Sequence, residues 1–163
     1  MNITNRNQEI WDKHFLDLCL QRAHMSKDPS TRVGSIIISP ERDLLGSGYN
    51  GFPRQIKDTP ERLNDRDTKL KLVIHAEMNA LLSAAKLGIK VQCSTMYIVA
   101  TDKSGEIWGG PPCTRCLVHV IQAGVIEIVT YKFKTIPSRW MDDLLYSKEL
   151  IIEAGISYRE VDL

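Results

Sequence analysis

The sequence predicts a layered α/β domain built on a mixed sheet. Three observations point there. A short turn around Pro40 joins two strand-like runs into an antiparallel hairpin. Beyond the hairpin, helical and strand-like segments alternate, which demands crossover connections. The chain has 163 residues, 43% hydrophobic and 25% charged, enough to bury a core without disulfide staples.

The elements follow in order. Over residues 9–24, Ile10, Trp11, Phe15, Leu18, Cys19 and Ala23 fall on a helical stripe. Lys27-Asp28-Pro29-Ser30-Thr31 breaks it. Residues 33–39 read as a buried strand and 44–49 as its hairpin partner. Asn50-Gly51-Phe52-Pro53 is a turn. Residues 54–69 are polar and contain Pro60, and they read as an ordered loop with about one helical turn. Residues 70–87 carry the strongest helical pattern of the chain, starting near Ile74–His75 and stopped by Gly88. Residues 95–100 form a strand, followed by a loop over 107–112. A helix runs from about Cys113 to Gln122, with Pro112 at its edge, and stops at Ala123-Gly124. Residues 125–130 form another buried strand. Ser138 starts a helix reaching about Ala154, and 156–161 is a candidate last strand. No internal repeat or low-complexity segment is visible, so residues 1–163 read as one domain.

Composition excludes several classes. A formal net charge of +1 argues against a broad grip on a long nucleic acid. The first apolar cluster, Ile10–Trp11, sits among polar residues, so no leader peptide is expected, and no apolar run is long enough to span a bilayer. These features suggest a soluble, cytoplasmic protein. The four cysteines, Cys19, Cys93, Cys113 and Cys116, then do not read as a disulfide framework. Cys113 and Cys116 form a close pair, whereas Cys19 and Cys93 read as small buried side chains, with Cys93 in a polar turn.

The chemical signal is His75-Ala76-Glu77 together with Pro112-Cys113-Thr114-Arg115-Cys116. One histidine and two cysteines supply three zinc ligands and leave the fourth position for water, whose pKa the metal lowers. The i, i+3 spacing at a helix start lets both thiolates face one ion, and helix-end amides favour their charge. Glu77 stands apart as a proton shuttle between water, ring nitrogen and leaving amine. Alone, the C-x-x-C pair also fits a redox pair, structural zinc or unrelated thiols, and Glu77 alone fits a solvated helix residue. H-x-E with P-C-x-x-C is the known signature of zinc nucleobase deaminases. His14, His24 and His119 show no metal partner in the sequence.

The chain resembles the deoxycytidylate deaminases of the cytidine/deoxycytidylate deaminase superfamily. The resemblance rests on Ser26-Lys27-Asp28-Pro29-Ser30-Thr31-Arg32-Val33-Gly34, Gly48-Tyr49-Asn50-Gly51-Phe52-Pro53-Arg54, His75-Ala76-Glu77-Met78-Asn79-Ala80, Pro112-Cys113-Thr114-Arg115-Cys116 and Ile121-Gln122-Ala123-Gly124, and runs from about Trp11 to Thr130. It implies a three-layer α/β/α, cytidine-deaminase-like fold with a mixed five-stranded sheet. It implies hydrolysis of dCMP to dUMP and ammonia, which feeds thymidylate synthesis. His75, Cys113 and Cys116 would bind Zn2+, and Glu77 would be the catalytic acid–base. Asn50 would hold sugar or base, and Ala76 and the backbone of 108–111 would position the ring. Trp108 would stack on it or form a wall. Phosphate donors would be Ser26 and Arg115. The resemblance also implies a homo-oligomer with dCTP and dTTP as effectors and Mg2+ accompanying the nucleotide.

The sequence departs from that pattern in places. Gln55 stands where a glycine is usual after Pro-Arg. The approach to the first cysteine is Trp108-Gly109-Gly110-Pro111-Pro112, and an extra zinc-binding insertion of some relatives is missing. Two other readings remain: a zinc deaminase of another base or of tRNA, and a metal-stabilised domain without activity. The first is disfavoured by the Ser-Lys-Asp-Pro and Gly-Tyr-Asn-Gly blocks, the second by Glu77, which structural zinc would not need.

Overall fold

A computed structural model describes residues 3–132 and 138–163. Helix α1 (Ile3–Ala23) is followed by strands β1 (Thr31–Ile38) and β2 (Leu44–Tyr49), then by helices α2 (Pro60–Asn64), α3 (Arg66–Leu72) and α4 (Ala76–Lys86). Strands β3 (Thr95–Asp102) and β4 (Ile107–Trp108) precede α5 (Thr114–Gln122), β5 (Glu127–Tyr131), α6 (Ser138–Glu153) and β6 (Ser157–Val161). Five strands pair in the order β2-β1-β3-β5-β6, and β4 pairs with β3 off that path. β1 is antiparallel to both β2 and β3, whereas β3–β5 and β5–β6 are parallel. β2, β3, β5 and β6 therefore share one direction and β1 and the short β4 oppose them, which is the expected mixed sheet.

Side chains alternate along the strands, and each parity feeds one core. Ile36, Ile38, Tyr97, Val99 and Val129 pack against Phe15, Leu16 and Cys19 of α1. Ile37, Met96, Ile98 and Ile128 pack against Ala80 of α4, Leu117 and Val120 of α5, and Ile151 of α6. The result is the three-layer arrangement, with α1 on one face and α4, α5 and α6 on the other. Among the described residues no helix is long and apolar enough to cross a membrane.

Several expectations need correction. Residues 54–69 are not mainly loop: α2 and α3 occupy 60–72, with Thr59 accepting from the Arg62 N–H and Pro60 in the first turn. Neither helix buries a residue, so neither carries an apolar stripe for periodicity to detect. The helix expected to start near Ile74–His75 does so: α4 begins at Ala76 with His75 as its capping residue, and residues 70–72 belong to α3. The chain is pulled straight at Ile74, which exchanges both backbone hydrogen bonds with Gly51 at 2.9 and 3.1 Å. Ile107 and Trp108 pair with β3 as a strand, where a loop was expected. Helix α1 also begins at Ile3, ahead of the stripe that docks it, because no Gly or Pro interrupts residues 3–8. Cys19 is buried as expected, but Cys93 is exposed.

Two glycines fix the height of α4 above the sheet. A Cβ on Gly48 would sit 2.3 Å from the Ala76 carbonyl oxygen and 2.5 Å from the Ala80 nitrogen. One on Gly46 would sit 2.5 Å from the Ala80 carbonyl oxygen. The helix thus rests backbone-to-backbone on β2, and its first turn is set by that contact. Across the other face, Asp12 of α1 accepts from Tyr97 at 2.8 Å and from Arg159 of β6, which also bonds Glu127 of β5 at 2.8 Å. Burial pushes the Asp12 carboxyl up, but the bonds from Arg159, Tyr97 and Gln8 outweigh it and hold the group below its ordinary value.

Gly48→Ala is expected to cost about 1–3 kcal/mol in urea unfolding by overpacking. Gly51→Ala, whose new methyl would have its nearest neighbour at 3.7 Å, serves as the near-neutral control. Asp12→Asn is expected to cost about 1–3 kcal/mol at pH 7. Because the folded pKa lies below the unfolded one, that advantage of the wild type is full above the unfolded value of about 3.9 and fades as pH falls through the folded value. Unfolding curves of both proteins from pH 7 down to pH 2 check it.

Candidate metal and active site

Helices α4 and α5 begin side by side on the same face of the sheet. His75 is the capping residue of α4 and Cys113 that of α5, both in extended conformation and neither using its side chain to cap. Their side chains are thus free to turn toward one another. His75 Nδ1 lies 3.4 Å from Cys113 Sγ and 3.3 Å from Cys116 Sγ, and all three donor atoms lie within 4.8 Å of one another. Tetrahedral zinc with Zn–S of about 2.3 Å and Zn–N of about 2.0 Å places nitrogen and sulfur roughly 3.5 Å apart. The donor set and its spacing therefore fit zinc. Hydrogen bonding from Cys116, followed by His75, brings the Cys113 thiol down to about 5. Its partner Cys116 is pushed up, first by that same bond and then by burial. His75 is held above its ordinary value, chiefly by Cys113.

Glu77 follows in the first turn of α4 and is 4% exposed. Burial raises its carboxyl above the ordinary value, with Cys113 adding to the shift. Glu77, His75 and Cys113 line one cavity of about 320 Å³. That volume lies in the range of small-ligand sites.

The structure places the remaining expected residues unevenly. Asn50 lines the cavity and is fastened there: Oδ1 accepts from the Val33 N–H at 2.8 Å and Nδ2 donates to the Thr31 carbonyl at 2.9 Å. One amide hydrogen stays available, because Nδ2 carries two. Trp108 also lines the cavity. Ser26 does not: it is buried, and its hydroxyl donates to the Asn50 carbonyl at 2.8 Å and accepts from the Asp28 N–H at 3.2 Å. It braces the loop that holds Asn50. Arg115 is exposed and outside the cavity lining, as is His119, whose ring faces the Arg115 carbonyl at 2.8 Å. Ala76 is fully buried under α4 and contributes no lining surface.

The cavity also holds cations that the sequence reading missed. Arg66 and Lys69 come from α3 and Arg139 from α6. Lys69 is neutralised by Asp28 at 3.2 Å. Arg66 and Arg139 are exposed and make no ion pair among the described residues. Their signal was hidden because α3 read as loop, and because α6 reaches the cavity only through tertiary packing.

Comparison with known proteins agrees with this geometry. The family model described as the cytidine and deoxycytidylate deaminase zinc-binding region matches residues 9–132. Human deoxycytidylate deaminase is 32% identical over 155 residues, covering 92% of this chain and 79% of its own length. ComE operon protein 2 of Bacillus subtilis is 30% identical over 156 residues, covering 94% of this chain and 72% of its own. Among solved structures, the dCMP deaminase of cyanophage S-TIM5 in complex with dCMP and dUMP superposes with a TM-score of 0.64 at 20% identity, covering 99% of both chains. RibD of Acinetobacter baumannii reaches 0.59 at 18% identity, over 94% of this chain and 35% of its own. Both structures share this fold.

Proposed function

This chain belongs to the family of cytidine and deoxycytidylate deaminases, and from that premise we propose that it converts dCMP and water to dUMP and ammonia, supplying dUMP for thymidylate synthesis. The observation that carries the reading is the His75, Cys113 and Cys116 donor triangle beside a buried Glu77 on the wall of a cavity of about 320 Å³.

His75 Nδ1 and the two thiolates would hold zinc, which when bound acts as a Lewis acid and makes hydroxide available near neutral pH. The other work belongs to the protein. Glu77 takes a proton from water as the water oxygen bonds to C4 and delivers it to N3 of the cytosine ring; it then takes the second proton from the new C4 hydroxyl and hands it to the amine, so that the C4–N bond breaks, ammonia leaves and the C4 carbonyl remains. Its burial suits a group that must carry a proton part of the time. Asn50, held by Val33 and Thr31, offers its remaining amide hydrogen to sugar or base. Trp108 walls the ring and limits water. The 5′-phosphate is gripped by Arg66 and Arg139, the cavity guanidinium groups that make no ion pair among the described residues, whose fork matches phosphate oxygens. These replace Ser26 and Arg115 as phosphate donors, because the Ser26 hydroxyl is spent internally and Arg115 lies outside the cavity.

The wider reading is a cytoplasmic homo-oligomer in which residues 1–163 act as one deaminase domain, its thiolate ligands kept reduced by the compartment. The same reading keeps dCTP and dTTP as effectors with Mg2+; a second cavity, lined by Lys27, Tyr49, Gly51 and Phe52 among others, holds about 100 Å³ and is too small by itself for a nucleoside triphosphate. It shares Asp28, Lys69 and Val73 with the first.

Zinc-replete protein is expected to release ammonia from dCMP far faster than from CMP or deoxycytidine, and absence of turnover on dCMP with or without dCTP and Mg2+ would overturn the reading. Glu77→Gln is expected to keep zinc and lower kcat by about 10²–10⁴-fold. Arg66→Ala and Arg139→Ala are each expected to raise the KM for dCMP by about tenfold or more while leaving kcat/KM for deoxycytidine unchanged. Equal losses on nucleotide and nucleoside would remove these residues from phosphate binding.

A further inference from the structure

The thiolate arm is held from outside its own helix. Cys113 occupies the capping position of α5, where a side chain would ordinarily satisfy an exposed N–H of the first turn, and it makes no such bond. The task passes to α6. Asp143 Oδ2 accepts from the Thr114 N–H at 3.0 Å, and the Thr114 hydroxyl donates to the Asp143 carbonyl at 3.1 Å. One turn further, the fully buried Ser147 hydroxyl donates to the Pro112 carbonyl at 2.6 Å. These three bonds grip the residues immediately before and after Cys113, and all come from one helix. A ligand sulfur placed this way inherits its position from α6.

We propose that Asp143 and Ser147 are positioning residues that set the geometry, and so the metal affinity, of the Cys113–Cys116 thiolate pair. Neither side chain is a donor to the ion; they act through the backbone of Pro112 and Thr114. Residues spaced three and four apart share a helix face, so Arg139, Trp140, Asp143, Leu144 and Ser147 form one stripe. Three members of that stripe, Arg139, Trp140 and Leu144, line the cavity. The same face of α6 therefore walls the cavity and fixes the ligand arm.

The inference rests on the metal reading above, and its test reads the metal directly. Zinc affinity is measured by competition with a chromophoric chelator, and the cobalt(II)-substituted protein reports thiolate ligation through its charge-transfer and ligand-field bands. Asp143→Ala and Ser147→Ala are each expected to bind zinc about 10–100-fold more weakly and to alter the cobalt spectrum. Asp143→Asn, which keeps an acceptor for the Thr114 N–H, is expected to stay near wild type in both readouts. Wild-type affinity and an unchanged cobalt spectrum in the alanine variants, even with a lowered Tm, would overturn the proposal. Should Asp143→Ala fail to fold, Ser147→Ala decides alone, since it removes one hydroxyl only. A wild-type protein that takes up no zinc would be a separate result, overturning the metal reading itself.

Discussion

Two helices start at one point above the sheet, and the chemistry depends on that coincidence. β2, β3 and β5 run in one direction, so the helices that return from their ends, α4, α5 and α6, all begin at the carboxyl edge of the sheet. Ligands of open α/β sheets gather at this edge. Here the arrangement places His75 and Cys113 at helix entrances that face each other, with Cys116 one turn inside. Entrance residues have extended backbones, so their side chains leave the helix axis and are free for another partner. The amides behind them supply a positive field suited to thiolates. Had either helix started one residue earlier, the donor would have been carried into the first turn.

A site of this kind gathers groups that oppose one another. Glu77 is buried beside a thiolate and is driven toward its protonated form, while the Cys113 thiol is driven toward its charged form. Proton and charge are thereby sorted within a few ångströms. Elsewhere in the lining Asp28 satisfies the Ser30 and Thr31 N–H groups as well as Lys69, so its charge is consumed locally. Arg66 and Arg139 make no ion pair among the described residues, so one cavity combines proton-handling groups with cationic ones.

Much of this was legible in the sequence, for identifiable reasons. His75, Glu77, Cys113 and Cys116 stood out because metal ligation restricts residue type and spacing, and because both clusters sat where helical periodicity begins. The hairpin and the crossovers were legible because strand runs and turn residues are local signals. What stayed hidden was not local. Residues 60–72 form helices without burying anything, so no stripe marked them. Ser26 looked like a surface donor, yet its hydroxyl ties Asn50 in place from 24 residues away. Arg139, Asp143 and Ser147 act on the cavity and on the Cys113 arm only because α6 packs there, and no spacing rule in a single chain reveals such a contact.

The glycine-backed seat of α4 divides the molecule by tolerance to change. Where a helix rests on a strand backbone to backbone, no side chain can be exchanged to shift it, so the reactive end admits almost no variation. The cationic rim stands on one short helix, α3, that buries nothing, and on the exposed start of α6. A lineage built on this plan is free to retool what it grasps by replacing rim residues while inheriting its reaction unaltered.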